Sequence, residues 1–186
     1  MTAFEYLSVL LSIILGLAIT QVLQGYRSLL LARTSVRLYW PTIIWSVLIL
    51  LFACQAWWAS FGLEDYADWR FDTFLVIMVQ MALVYMGAAV VLPDVPDGAA
   101  IDLEAHYEAQ RRPFFTCLLL VVGVSLLKDL MLQGALPGAA NLAFHAFLAL
   151  MAVFGLMLKR RLPQLVLALV VGAAFVAYVG LLFARL

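Results

Sequence analysis

Charged residues are scarce in this chain. Only 12% of its 186 residues are Asp, Glu, Lys or Arg, whereas soluble domains usually contain about a quarter. Hydrophobic residues make up 67% of the chain, and the mean hydropathy is +1.08. A water-soluble protein of this length needs more polar surface than this, so the composition favours a membrane protein. The formal net charge is zero, which gives no support to binding of nucleic acid.

Residues that carry catalytic or metal chemistry are also few. Cys54 and Cys117 both lie in apolar blocks without a C-x-x-C motif, so neither a zinc site nor a redox pair is indicated. Of the two histidines, His145 lies in an apolar block and His106 in a connection, which disfavours a haem held by two intramembrane histidines. No nucleophile–base pair or phosphate-binding loop is present either. We therefore predict no catalytic residue, metal or cofactor, and an enzyme is the least supported class.

Six long apolar blocks dominate the sequence. Each is close to the ~20 residues that a helix needs to cross a bilayer, and none alternates as the strands of a barrel do. The first block carries a single charge, Glu5, whereas a cleavable signal peptide begins with cations, so this block is interpreted as a retained span. The sequence predicts an all-α membrane bundle that forms one domain, 1–186. The six predicted spans are Phe4–Gln24, Pro41–Gly62, Asp72–Leu92, Pro113–Leu132, Asn141–Leu158 and Gln164–Ala184.

The distribution of basic residues predicts the orientation. Three residues, Arg70, Lys128 and Arg185, lie toward the side of the termini. By the positive-inside rule, the excess on the other side places both termini outside. The basic residues of the first, third and fifth connections are Arg27, Arg33, Arg37, Arg111, Arg112, Lys159, Arg160 and Arg161. The third connection also contains IDLEAHYEAQRR, which predicts about three turns of charged helix, either solvated or docking a partner.

Polar residues inside the spans are the best pointers to a site, because they are costly in hydrocarbon. Asp129 and His145 flank the short connection 133–140 at a similar depth, roughly 6 Å below the outer end. They could pair, or form a proton, ligand or metal site. Gln55 and Gln80 also match in depth and could bond each other. The candidate residues of an outer-half polar cavity are Glu5, Gln55, Gln80, Lys128, Asp129 and His145.

Two helix faces carry small or polar residues at four-residue spacing. In the first span this face is expected to point into the bundle, either as a packing surface or as a cavity wall. In the sixth span the face should let another helix approach closely, in the same chain or in a second copy of a homo-oligomer. The first face comprises Ser8, Ser12, Gly16, Thr20 and Gln24. The second comprises Ala168, Gly172, Gly180 and Ala184.

Three stretches carry a resemblance to a known group of proteins: FEYLSVLLSIILGLAIT at 4–20, LYWPTIIWSVLILLFACQAWWASFGL at 38–63 and DLEAHYEAQRRPFF at 102–115. Together they resemble a group of small, multi-pass inner-membrane proteins of proteobacteria that has no assigned activity. The likeness covers about the first two thirds of the chain. It implies a location in the bacterial inner membrane, with both termini periplasmic given the predicted orientation, and it carries over no functional residue.

The sequence leaves two functions open. The polar set in the outer half favours transport of a small molecule or ion, or sensing of a ligand or proton, through a cavity open to the periplasm. The alternative is a structural or partner-binding subunit of a membrane complex. Its contacts would be the small-residue face of the sixth span and the basic inner connections.

Overall fold

The computed structural model describes residues 3–94 and 100–183. Within these residues, six helices are long and apolar enough to cross a membrane, which confirms the predicted all-α membrane bundle. A 3₁₀ turn, Ser60–Leu63, follows the second helix, and a π-helical turn, Val179–Phe183, follows the sixth. The helices are α1 (Ala3–Leu31), α2 (Trp40–Ala59), α3 (Phe71–Val91), α4 (Leu103–Gln133), α5 (Ala139–Met157) and α6 (Arg161–Tyr178).

The helices pack side by side in a closed order. α1 packs on α3, α3 on α4, α4 on α5, α5 on α6, α6 on α2, and α2 returns to α1. α2 also contacts α3 and α4. At most 39% of the most apolar window of each span is buried, so most of the helix surface is left to face lipid. We call the end at which α1 begins, and which carries the acidic connection between α2 and α3, the acidic end; the opposite end is the basic end.

The start of α4 differs from the predicted span. The helix begins at Leu103 rather than at Pro113, because Asp102 caps it by accepting the backbone N–H groups of Glu104 and Ala105 at 2.9 and 3.0 Å. The N–H of Ala105 also holds the pKa of Asp102 below its ordinary value. Leu103, Tyr107 and Arg111, spaced four residues apart, are all buried. The expectation of a wholly solvated charged helix is therefore wrong.

A small parallel sheet ties the connections together at the basic end. β1 (Val36–Arg37) pairs with β2 (Ile101–Asp102). Arg37 forms ion pairs with Asp102 at 3.0 Å and with Glu104 at 3.3 Å, and Arg161 also pairs with Glu104. Each exposed pair is worth little by itself. Together they join the connection before α2, the start of α4 and the start of α6.

The prediction for the polar face of α1 is wrong. Its apolar face is buried instead, through Leu7, Leu11, Leu15, Ala18 and Val22. The hydroxyls of Ser12 and Thr20 donate to the carbonyls of Ser8 and Gly16 within the same helix, at 2.7 and 2.8 Å. This side-chain bonding satisfies the hydroxyl hydrogens within the helix, and the Ser12 oxygen also accepts the indole N–H of Trp57 in α2 at 3.0 Å. Ser12, Gly16, Thr20 and Gln24 are exposed.

Part of the small-residue face of α6 packs against other helices of the same chain. Ala168 is fully buried. A Cβ atom at Gly172 would lie 3.6 Å from Leu48 of α2, an ordinary van der Waals distance, so this face packs against α2 without requiring a glycine. Val176 and Gly180 remain exposed, and Ala184 lies outside the described residues. Contact with a second copy through this face remains a proposal.

Candidate functional site

A polar cavity of about 270 Å³ lies in the acidic half of the bundle. Its walls come from α2 to α6 and from the turn Ser60–Leu63, and its base is apolar, with Leu11, Phe52 and Leu148. Five of the six residues predicted from depth line this one cavity: Gln55, Gln80, Lys128, Asp129 and His145. Glu5 does not line it; it lies exposed in the first turn of α1.

His145 is held in a fixed orientation on the α5 side of the cavity. Its Nδ1 lies 2.8 Å from the carbonyl oxygen of Asn141, and its Nε2 lies 3.0 Å from the hydroxyl of Ser125. A carbonyl only accepts, so Nδ1 carries a proton. The Ser125 hydroxyl can donate to Nε2 of the neutral ring or accept from the imidazolium. Hydrogen bonds to both ring nitrogens therefore fix the orientation of the ring.

Asp129 has Lys128, not His145, as its ion-pair partner. The Nζ atom of Lys128 lies 3.6 Å from Oδ1 of Asp129, and Asp129 is 9% exposed. In the described part of the chain, no ion pair joins Asp129 to His145. Successive residues point about 100° apart on a helix, but the long lysine side chain reaches around to its neighbour. The cavity thus contains one charge of each sign.

Gln80 presents an unsatisfied amide. Its side chain is 5% exposed, and its Oε1 has no hydrogen-bond partner among the described residues. The amide pair expected between Gln55 and Gln80 is therefore not formed, although both residues line the cavity. An unpaired polar atom of this kind costs about 1–3 kcal/mol.

Five further polar residues that are not among the candidates line the cavity: Ser60, Ser125, Gln133, Asn141 and Tyr178. The hydroxyl of Tyr178 donates to Oδ1 of Asn141 at 2.8 Å, and its ring stacks on Phe144 at 3.8 Å. The helical spacing could have found two of them. Ser125 precedes Asp129 by four residues, and Asn141 precedes His145 by four, so each pair shares a helix face.

The fold and the cavity define a multi-pass membrane protein with a polar site open at one end of the bundle. Comparison with protein-family models, curated proteins and solved structures gives no match to this chain. Across residues 3–94 and 100–183, no three His, Cys, Asp or Glu side chains are grouped so as to hold a metal ion. The cavity instead offers hydroxyl, amide, imidazole, ammonium and carboxylate groups, which suit binding of a small polar or charged molecule.

Replacing Gln80 by leucine is expected to stabilise the protein. The substitution removes a buried amide oxygen without a partner, which costs about 1–3 kcal/mol, and keeps a side chain of similar size. Thermal unfolding in detergent measures the effect as a rise in Tm. Gln133→Leu is the matched control, because Gln133 is exposed at the end of α4, and its Tm should stay close to that of the wild type. A lower Tm for Gln80→Leu would mean that the amide is bonded within the protein.

Proposed function

We propose that the protein binds a small polar or ionic ligand in this cavity, for transport or for sensing. The observation that carries the proposal is the buried Gln80 amide, which lacks a partner inside a cavity that also holds Lys128 and Asp129. Buried polar groups are expensive in a membrane protein, and such groups commonly mark ligand or ion pathways. A ligand that bonds to the two charges recovers part of that cost.

We further propose that the protein lies in the bacterial inner membrane with both termini in the periplasm. Support comes from the excess of basic residues in the first, third and fifth connections and from the resemblance to small proteobacterial inner-membrane proteins. In this orientation the cavity opens to the periplasm. The ligand then enters from outside the cytoplasm.

Access to the cavity is one-sided in this conformation. Toward the basic end, Trp45 packs edge-on against Phe114 and Phe115. The centroid of the Trp45 ring lies 5.3 Å from the centroid of each phenylalanine ring, and all three side chains are buried. One-sided access is sufficient for sensing. Transport requires a second conformation in which this aromatic layer opens and the outer end closes.

The second candidate is a structural or partner-binding subunit. It is favoured by the exposed small and polar face of α1, where Ser12, Gly16 and Thr20 offer close approach to another helix. A disulfide crosslink between two copies that carry Gly16→Cys, formed in native membranes, would support it. Absence of any crosslink to itself or to another protein would count against this candidate.

Cysteine labelling tests the cavity and its orientation. In a Cys54→Ser, Cys117→Ala background, we expect Ser125→Cys to react with a charged, membrane-impermeant methanethiosulfonate added from the periplasmic side. Leu127→Cys is the control, because Leu127 is 46% exposed on the lipid-facing side of α4, and a thiol in hydrocarbon stays protonated and unreactive. The Ser125→Cys rate should exceed the control rate by about tenfold or more.

The same labelling identifies the class of ligand. Inorganic phosphate, acetate, glycine and ethanolamine are each tested for protection of the Ser125→Cys thiol. Slower labelling in the presence of one of these compounds would show whether the cavity binds an anion, a cation or a zwitterion. Failure of Ser125→Cys to react from the periplasmic side, or reaction from the cytoplasmic side alone, would overturn the proposal.

A further inference from the structure

An apolar groove of about 580 Å³ lies on the outside of the bundle, between the acidic halves of α2 and α6. It faces the bilayer, and Leu51 and Trp58 of α2 lie opposite Val176 and Gly180 of α6. The regular helix α6 ends at Tyr178, and the π-helical turn Val179–Phe183 continues it along the groove.

The seam between α2 and α6 separates this groove from the polar cavity. Toward the basic end the seam is tight: Gly172 packs on Leu48, and the rings of Phe52 and Phe175 lie with centroids 6.2 Å apart. Above these contacts, Gln55 lines both the cavity and the groove. Gln55, which is half-buried, therefore borders both a polar site and a surface exposed to lipid.

The cavity holds one positive and one negative group, and it adjoins an apolar groove. This arrangement suits a ligand with a zwitterionic head group and an apolar chain. We propose that the site binds a phospholipid-like amphiphile, with its zwitterionic head group in the cavity and an acyl chain passing Gln55 into the groove. This inference rests on the proposed ligand-binding function and names the class of ligand. The ammonium of the head group faces Asp129, and its phosphate faces Lys128.

The charges in the cavity can receive such a head group. The Lys128–Asp129 separation of 3.6 Å is longer than the roughly 2.8 Å of a strong charge-assisted hydrogen bond. Each group thus keeps bonding capacity for a second partner of opposite charge. Ser125 and Asn141 line the same cavity and offer further polar groups to the head group. Each polar part of the ligand then has a partner, and its chain stays in an apolar environment.

Native mass spectrometry of the detergent-purified protein with palmitoyl-lysophosphatidylethanolamine tests the inference. We expect bound lipid on the wild type and about tenfold weaker binding, or ~1.4 kcal/mol, in two variants. Gly180→Trp fills the groove at a position where a Cβ would have no atom within 4 Å, so the fold should persist. Lys128→Met removes the partner of the phosphate. Leu169→Trp, on a lipid-facing position of α6 outside the groove, is the control and should bind as the wild type does.

The alternative outcomes separate the two proposals. If glycerophosphoethanolamine protects the Ser125→Cys thiol but Gly180→Trp leaves lipid binding unchanged, the cavity takes polar ligands and the amphiphile inference fails. If Gly180→Trp weakens binding but Lys128→Met does not, the groove holds bilayer lipid alone, and the inference fails. If Gly180→Trp instead abolishes a dimer, the occupant is a second copy. If no lipid binds and Ser125→Cys is unreactive, both proposals fail.

Discussion

Replacing Arg111 by methionine should strongly destabilise the protein, whereas the same replacement at Arg112 should have little effect. Arg111 is 5% exposed, and its Nη1 donates to the carbonyls of Gly155 and Leu156 at 3.0 and 2.5 Å. These carbonyls lie in the last turn of α5, where they have no partner within the helix. Methionine keeps the length of the side chain but leaves the Leu156 carbonyl without this donor, so we expect a loss of about 2–4 kcal/mol.

The comparison of the two arginines isolates this interaction. Arg112 is exposed, and both variants remove one positive charge from the same connection, so any effect on topology is equal. Thermal unfolding in detergent should give a clearly lower Tm for Arg111→Met and a nearly unchanged Tm for Arg112→Met. Equal losses would show that the charge of the connection matters and that the bonds to α5 do not.

The burial of Arg111 could not be predicted from the local sequence, although the six spans could. The six spans could be predicted because hydropathy over ~20 residues is a local property. The first ten residues of α4 include four charged side chains, so the sequence predicts a span that begins at Pro113 and a solvated Arg111. Its burial depends on the end of α5, which is distant in the sequence. The four-residue spacing of Leu103, Tyr107 and Arg111 was the available signal of a buried face.

The sequence predicted how deep the candidate residues lie in the bilayer, but it did not predict their hydrogen-bond partners. Depth follows from the rise per residue, and it matched Asp129 with His145 and, separately, Gln55 with Gln80. Hydrogen-bond partners also depend on the rotation of each helix about its axis. The sequence does not supply that rotation, so the pairing of His145 with Ser125 was missed.

The prediction that the polar face of α1 points into the bundle failed for a related reason. Periodicity separates one face of a helix from the other, but either face can be buried when both are compatible with lipid. Ser12 and Thr20 satisfy their hydroxyls on their own backbone, so exposure to lipid costs little. The leucines at Leu7, Leu11 and Leu15 fill the core against α3 instead. Packing between helices decides which face of α1 is buried, and the sequence of one span does not contain that information.

Replacing Gly155 by leucine should also destabilise the protein strongly. A Cβ atom at this position would overlap the ring of Phe115, which is fully buried. That ring cannot move aside easily, because Trp45 and Phe114 both pack against it with centroids 5.3 Å away. α5 must therefore shift, which also strains the bonds that the Gly155 carbonyl accepts from Arg111 and Gln164. We expect a loss of about 3 kcal/mol or more.

Gly123→Leu is the matched control, because a Cβ at Gly123 has no atom within 4 Å and the residue lies exposed in α4. Both substitutions gain about 1 kcal/mol of helix propensity, so the difference in Tm between them reports the clash with Phe115. The double variant Gly155→Leu, Phe115→Ala provides the decisive comparison. If the clash is the cause, removing the ring makes room for the leucine, and the double variant loses less stability than the sum of the two single variants. Additive losses would mean that Gly155 acts through the backbone of α5 rather than through its contact with Phe115.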